Sequence, residues 1–524
     1  MNPQSLSKLA SSLISVFEKN ESPKQDKKIS VNAVVSKVAS FYERIRNSME
    51  YREEEVVLRA SIERILKRRF LLGGTGKTMA EPLVRELLWA RYFDDNILPE
   101  SVFEKVEKKI EIHLLFRKKL ITQKILSEKD INSWVFNLMS SDLEQMLSLN
   151  KEKNVLVNFM FQIIKNNVSI TDDSEETKDA QVYIAVRRSF AKEDIAFLRF
   201  YLFKQIFGEL NEESIDKISS SFKAGFEEIQ KQLNYPLKDR IYSFIKSKTA
   251  VFFVLEDLFR IKRGNIKEFL LDEDEFKKEV IKICEVRYKG ISSKIRNAII
   301  KSVLFILLTK AIIALTIEGT YDNVVYGGIV WSSMLINIGL PPMLMLLLGL
   351  FIKTPDKKNT QRILSFLKNI LEEENPSMGE PLILKRKAKA KASPMFLGVF
   401  TILWFLAFLL SFGSIGYVLT RLHFNIVSQG IFLFFIAIVS FLSYRIWLKS
   451  RIYSVGSTQG LITPLADFFF MPLVRVGRHL TEGISQFNFF LFAFDIIIEI
   501  PFKGLFGFFE QWFFFLHSKR EELD

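Results

Sequence analysis

The chain has 524 residues, carries 73 Lys and Arg against 60 Asp and Glu, and contains 50 Phe. A chain of this length is expected to form more than one domain, because single cores stop growing near about 250–300 residues. Its one cysteine, Cys284, excludes an intramolecular disulfide and a thiolate-rich metal site, and we expect it to be a small core residue. Its four histidines are scattered, so a metal site built from them is not expected either.

The first thirty residues predict a fraying or flexible N-terminus. Residues 1–20 have a weak apolar pattern that includes Lys8, and residues 21–30 are polar. There is no small-residue cleavage site of the kind that a secretory signal requires.

Residues 31–296 are rich in charge, and their apolar residues recur at helical spacing. Val34, Val38, Phe41 and Ile45 form one such stripe, and similar stripes continue to the end of this region. No long stretch alternates between polar and apolar residues as an exposed strand would. We therefore predict a cytoplasmic α-helical domain over 31–296.

Four apolar segments follow, each close to or longer than the roughly 20 residues that a helix needs to cross a bilayer. They cover 298–317, 324–352, 394–420 and 424–444. The first segment contains Lys301 and Lys310. A central Lys costs about 2.5–3.5 kcal/mol, whereas the twelve Leu, Ile, Phe and Val residues of this segment contribute roughly −4 to −7 kcal/mol together, so insertion remains favourable.

The distribution of basic residues predicts the topology of a membrane domain over 297–453. Lys and Arg are frequent before the first segment, in the loop 353–393 and after the fourth segment, whereas the other two loops carry few. Basic flanks mark the cytoplasmic side. We therefore expect a multi-pass protein, in the plasma membrane, with both termini in the cytoplasm.

Residues 454–524 are rich in Phe but carry a narrow charged stripe, which includes Asp467, Arg475, Arg478 and Glu482. A broad apolar face beside such a stripe is typical of helices that lie in the membrane interface. Two alternatives stay open: a hairpin that packs against the other helices of the membrane domain, and a soluble helix that binds a partner.

One glycine-rich segment resembles a phosphate-binding loop but fails its requirements. Gly76, Lys77 and Thr78 match the end of that motif, but Leu71 stands where the motif needs its first glycine, and the preceding residues have helical spacing. We reject a nucleotide site here. Gly73-Gly74 fits the end of one helix, and Thr78 is expected to cap the next, which would begin at Glu81.

An intramembrane polar site is a hypothesis for the first two apolar segments. Lys310 lies near the middle of the first segment, and Asn337 precedes the pair Pro341-Pro342, which is expected to interrupt the second. Ionisable residues and broken helices inside membranes often mark transport or ion pathways. The alternative is that Lys310 extends towards a headgroup or packs against Asn337 for structural reasons.

A basic cluster precedes the third apolar segment. It consists of Lys385, Arg386, Lys387, Lys389 and Lys391. Such a cluster binds anionic lipid headgroups or enforces orientation, and both roles are compatible. Because much of the excess positive charge lies near the ends of membrane segments, nucleic-acid binding is not expected.

The sequence thus predicts an all-α fold, with a soluble helical N-terminal domain, a four-span membrane domain and amphipathic C-terminal helices. It contains no motif of a catalytic, metal or cofactor site. We expect a non-enzymatic, membrane-anchored scaffold or assembly factor whose partners are the lipid bilayer and a protein bound to the cytoplasmic helices. The alternatives are a transporter or channel subunit that uses Lys310, and a membrane-bound enzyme.

Overall fold

A computed structural model describes most of the chain. It covers residues 6–18, 27–49, 54–148, 151–329, 331–385, 394–422, 424–456, 463–485 and 500–521. This part of the chain is almost entirely helical. Two strands of three residues, Val168–Ile170 (β1) and Leu382–Leu384 (β2), form its small sheet. The predicted all-α fold is therefore confirmed.

The described chain divides into two compact units that interleave along the sequence. We call Met1–Glu18, Ser169–Asp172 and Lys246–Phe487 the membrane unit. The remainder is the helical unit, which consists of Lys19–Val168, Asp173–Ile245 and Asn488–Asp524. Each unit thus contains segments that are distant in sequence.

The helical unit holds ten helices near the N-terminus and one at the C-terminus among the residues that the structure describes. They are Ala33–Met49 (α2), Val57–Leu71 (α3), Gly76–Trp89 (α4), Val102–Thr122 (α5), Glu128–Leu147 (α6), Lys151–Lys165 (α7), Glu175–Val186 (α8), Ile195–Phe207 (α9), Ile215–Leu233 (α10), Lys238–Lys246 (α11) and Ile500–Glu521 (α21). A 3₁₀ turn over Glu54–Val56 precedes α3, and a π-helical turn over Arg187–Ala191 follows α8.

Two apolar cores hold this unit together. One core joins α3, α4, α5 and α6 through fully buried residues such as Leu83 and Val106. The other contains the edge-to-face rings of Phe116, Trp134 and Phe222, in which Phe116 and Phe222 have centroids 5.5 Å apart. Aromatic side chains bury large apolar areas, so these contacts contribute strongly to the stability of the unit.

The turn between α3 and α4 is a helix–helix connector, as the sequence indicated. Gly73 has a φ of +80°, a backbone conformation that glycine adopts without strain. The next helix begins earlier than predicted, at Gly76, because Thr75 and Thr78 form a reciprocal capping box. The prediction that Thr78 is the cap of a helix from Glu81 is therefore wrong.

The membrane unit contains the apolar helices and several polar ones. Its described helices are Lys8–Glu18 (α1), Thr249–Ile261 (α12), Ile266–Leu271 (α13), Glu273–Ile313 (α14), Gly319–Tyr326 (α15), Trp331–Leu350 (α16), Lys357–Glu372 (α17), Pro394–Arg421 (α18), Ile426–Ser450 (α19) and Thr463–Ser485 (α20). A π-helical turn over Ala314–Glu318 joins α14 to α15, so that one continuous helix runs over Glu273–Tyr326.

Three helices are long and apolar enough to span a bilayer: Glu273–Tyr326, Gly398–Arg421 and Ile426–Ser450. A shorter apolar helix, Met334–Leu350, lies within α16. The first and third of these spanning helices pack with the shorter helix through the apolar side chains of Ile306, Met345, Phe435 and Val439. These helices identify the chain as a membrane protein.

The loop between the second and third apolar segments contains an amphipathic helix, α17. Its apolar face is buried, with Ile363 and Leu367 fully enclosed. At its start, Asn359 donates to the hydroxyl of Tyr288 and to the carbonyl of Tyr453, each at 2.7 Å. A single amide thus ties together α14, α17 and the segment after α19.

The two described C-terminal helices pack differently. α20 lies against α18 and α19, where the Ser411 hydroxyl donates to the carbonyl of Phe469 at 2.8 Å. This packing corresponds to the alternative in which the segment packs against the other membrane helices. α21 instead belongs to the helical unit, and its Phe506 is buried with Val35 and Trp89. The segment 486–499 lies outside the described residues.

Candidate functional site

The longest described helix of the membrane unit contains a π-helical turn close to two charged residues. Lys310 precedes this turn, and Glu318 is the last residue in it. In a regular helix, residues eight positions apart point in directions about 80° apart. The additional residue of a π-helical turn brings the later residue to within about 20° of the earlier one. The turn therefore places Lys310 and Glu318 on one face of the helix.

Lys310 and Glu318 form a buried ion pair. Lys310 Nζ lies 3.1 Å from Glu318 Oε1, and the two side chains are 0% and 1% exposed. The ammonium also lies 5.1 Å from the centre of the Phe435 ring, within the range of a cation–π contact. Lys310 is thus enclosed by protein and does not extend from the bundle as a snorkelling lysine would.

The Glu318 carboxylate is the centre of a network that joins three helices. Asn337 Nδ2, from α16, donates to both carboxylate oxygens at 2.7 Å, and the Ser428 hydroxyl, from α19, lies 3.3 Å from Oε2. With Lys310 from α14, these donors occupy both oxygens. A buried charge is tolerated when its charge and its hydrogen-bonding atoms are both compensated, and here the donors come from separate helices.

Asn337 has one polar atom that takes no part in this hydrogen-bond network. It is fully buried, and its Oδ1 has no hydrogen-bond partner among the described residues. A buried amide oxygen without a donor is costly, so a site of this kind usually takes up a water molecule or another donor. The network therefore contains one free acceptor beside the ion pair.

A second acidic residue lies one turn beyond Glu318. Asp322 is 3% exposed, and Asn425 Nδ2 donates to its Oδ1 at 2.9 Å. The side-chain oxygen of Asn425 in turn accepts from the backbone N–H of Ser428 at 2.7 Å and caps α19. The N-terminus of α19 thus lies beside two carboxylates, an arrangement that the helix dipole stabilises.

The proline pair does not interrupt the second apolar segment, contrary to the prediction. The bounds 324–352 are also wrong, because residues up to Tyr326 end the preceding helix and α16 begins at Trp331. α16 runs continuously from Trp331 to Leu350 and includes Pro341 and Pro342. Prolines lack the N–H that would reach the carbonyls four residues earlier, so the carbonyls of Asn337 and Ile338 receive no bond from them. In a bundle, packing against neighbouring helices keeps such a helix continuous.

Of the residues proposed to contact anionic lipid, only Lys385 falls within the described residues. It follows β2 and is exposed. Arg386, Lys387, Lys389 and Lys391 lie outside the described residues. Their role in lipid binding stays a prediction.

The helical unit contains a buried polar cluster that the sequence did not reveal. Arg187 Nη1 lies 2.8 Å from Glu193 Oε1, and the Arg187 guanidinium lies over the ring of Tyr201 at 3.4 Å. Burial raises the pKa of Glu193 even though Arg187 lowers it, and burial raises the pKa of nearby Glu144 to about 8. These residues are scattered over α6, the π-helical turn after α8, the segment before α9, and α9 itself, so no local sequence pattern predicts them.

The intramembrane network can hold charge and exchange hydrogen bonds. Across the residues that the structure describes, no group of three or more His, Cys, Asp or Glu side chains could hold a metal ion. Comparisons with protein-family models, with curated proteins and with solved structures give no significant match to this chain.

Proposed function

We propose that this protein is a membrane-anchored scaffold: its apolar helices hold it in the bilayer, and its helical unit binds a protein partner in the cytoplasm. The observation that carries this proposal is the hydrogen-bonded ion pair at Glu318. Lys310 is paired inside the bundle with a counter-ion from its own helix, and three helices supply the donors. Such a network fixes helix packing in an environment where apolar side chains alone give little specificity.

The composition of the chain supports two separate roles, membrane anchoring by the apolar helices and partner binding by the helical unit. The helices after Arg296 supply apolar surface to lipid, as the exposed Phe400, Phe405 and Leu409 on α18 illustrate. The helical unit has two well-packed cores and a charged exterior. A rigid body of this kind on a membrane anchor is suited to holding a partner at the membrane. The plasma membrane and a cytoplasmic location for both termini form part of the proposal, because basic residues flank the apolar segments on one side.

Site-specific photo-crosslinking in cells tests the scaffold proposal. A photoreactive amino acid is placed at Lys105 or Glu227, which are exposed on the helical unit, and at Phe405, which is exposed on α18, as the control. We expect one stoichiometric protein adduct from the helical unit and none from Phe405. Failure of every exposed position of the helical unit to form a stoichiometric adduct would count against a scaffold.

A transporter or channel subunit is the second candidate, and the free acceptor of Asn337 favours it. A buried oxygen beside an ion pair is a place where a water molecule, a proton or a cation could be held. In proteoliposomes under an ion or pH gradient, this candidate requires flux that Lys310→Leu abolishes and Lys310→Arg partly retains, with insertion unchanged in both. The scaffold proposal requires no flux from the wild-type protein.

A further inference from the structure

Within the helical unit, α21 packs against other helices through one face, and another face of α21 is exposed. Phe506, Glu510 and Phe513 occur at helical spacing on the bound face, where Phe506 is 6% exposed and Glu510 is 4% exposed. Phe506 meets Trp89 edge to face, with ring centroids 6.4 Å apart, and both belong to a cluster with Val35. These contacts fix the rotation of α21 about its axis.

The uncovered face of α21 is apolar and aromatic. Its large side chains are between 44% and 61% exposed, and they are Leu505, Phe508, Phe509, Trp512, Phe515 and Leu516. Their spacing places them on one side of the helix, so the exposed apolar area is continuous along it. An apolar face of this length on a well-bound helix marks an interaction surface.

Three properties of the chain indicate that lipid covers this face. Three helices of the same chain are long and apolar enough to span a bilayer, so lipid is always within reach of a tethered surface. Residues 486–499 connect α20 to α21, and α20 packs against two of those helices. Because fourteen residues extend to about 50 Å at most, α21 begins within about that distance of the end of α20. Trp and Phe beside basic residues such as Lys519 suit the boundary between headgroups and acyl chains.

We infer that the uncovered face of α21 lies in the membrane interface and holds the helical unit on the bilayer surface. In this arrangement Leu505, Phe508, Phe509, Trp512, Phe515 and Leu516 insert among lipid headgroups and upper acyl chains. Phe506, Glu510 and Phe513 at the same time keep α21 attached to the helical unit. The inference does not depend on the scaffold proposal, because a transporter could use the same attachment.

Site-specific fluorescence of the full chain tests this inference. Cys284 is the only cysteine, so Cys284→Ala gives a background in which Phe509→Cys, Leu516→Cys and Gln511→Cys each carry one environment-sensitive label. Gln511 is exposed on the same helix but outside the apolar face, and it is the matched control. The proteins are reconstituted into vesicles of equimolar phosphatidylcholine and phosphatidylglycerol, with and without brominated acyl chains.

We expect a blue-shifted emission at positions 509 and 516, which lie about 140–160° around the helix from position 511. The brominated chains should quench these labels at least about twofold more strongly than the label at 511, as burial about 5–10 Å into the interface requires. Equal quenching at 509, 516 and 511 would overturn the inference. A blue shift without quenching by brominated lipid would also overturn it, because protein would then cover the face. Thermal unfolding of each labelled variant verifies that α21 remains folded on its unit.

Discussion

Lys310 and Glu318 form a buried ion pair across eight residues because a π-helical turn lies between them. A second π-helical turn occurs in the helical unit, where Arg187 begins the turn and pairs with Glu193 in the segment that follows it. An additional residue in a helical turn is a costly feature that persists when it places side chains for a purpose. In the membrane unit, the turn places a buried cation and its carboxylate on one face of the helix.

Removing one member of the intramembrane pair should be more damaging than neutralising both. Lys310→Met leaves Glu318 buried without its cation, so we expect a loss of about 3–5 kcal/mol in the free energy of unfolding. The double variant Lys310→Met, Glu318→Gln should recover most of this loss, because no unpaired charge remains. Unfolding in detergent measures both effects.

The exposed Lys301 lies on the same helix, and Lys301→Met is the matched control, which should be close to neutral. If Lys310→Met and the double variant were equally unstable, the ion pair would not be the source of the effect.

Inserting one residue into the π-helical turn should break the network around Glu318. Insertion of one alanine beside the exposed Thr316 places Glu318 nine positions after Lys310, so Glu318 rotates by about 100° relative to Lys310. We expect destabilisation at least as large as for Lys310→Met, measured in the same way. Thr316→Ala keeps the length of the turn and should cost less than about 1 kcal/mol. Equal stability of the two variants would show that the register of the turn is unimportant.

The stability of the protein should depend on the protonation of Glu144. Its pKa is raised to about 8 by burial, with Glu193 and Asp194 raising it further and Arg59 lowering it. The folded state therefore binds a proton more tightly than the unfolded state, whose pKa is near 4.5. The contribution to stability is complete below pH 4.5 and is lost as the pH rises to about 8.

Glu144→Gln should flatten this dependence and stabilise the protein above pH 8, which denaturant unfolding at several pH values can measure. Glu128 is exposed on the same helix, and Glu128→Gln is the control that should leave the pH profile unchanged. An unchanged profile for Glu144→Gln would mean that other groups cause the dependence.

The contact between α19 and α20 should depend on the absence of a side chain at Gly477. A Cβ there would overlap the backbone carbonyl of Ala437, and backbone cannot move aside as a flexible side chain can. We expect Gly477→Ala to cost about 1–3 kcal/mol of unfolding free energy. Gly430→Ala, in α19 but with open space around its Cβ, should be neutral or slightly stabilising. Similar effects of the two substitutions would contradict this close approach.

The sequence predicted the apolar helices because crossing a bilayer requires a length and composition that few soluble helices have. It also identified Lys310 and Asn337, since polar residues in such segments are rare. It did not identify Glu318 as their partner, because nothing in local composition marks a π-helical turn. The predicted interruption at Pro341-Pro342 is wrong because the rule for isolated helices neglects neighbours that support the backbone.

The sequence also did not predict which helices that are distant along the chain pack against each other. Trp89 and Phe506 meet although they come from opposite ends of the chain, and hydropathy patterns carry no information about which apolar faces pair. The division into the domains 1–30, 31–296, 297–453 and 454–524 stays a prediction. The amphipathic character of α21 was visible in the sequence, but the surface to which it binds was not.

The interleaving of the two units has a consequence for biosynthesis. The helical unit includes Asn488–Asp524, which leave the ribosome only after every apolar helix has been made. Until then Trp89 and Val35 lack Phe506, and the cluster between α2 and α4 is incomplete. Nascent chains should therefore mature in a fixed order, in which membrane insertion precedes the final closure of the domain that was translated first.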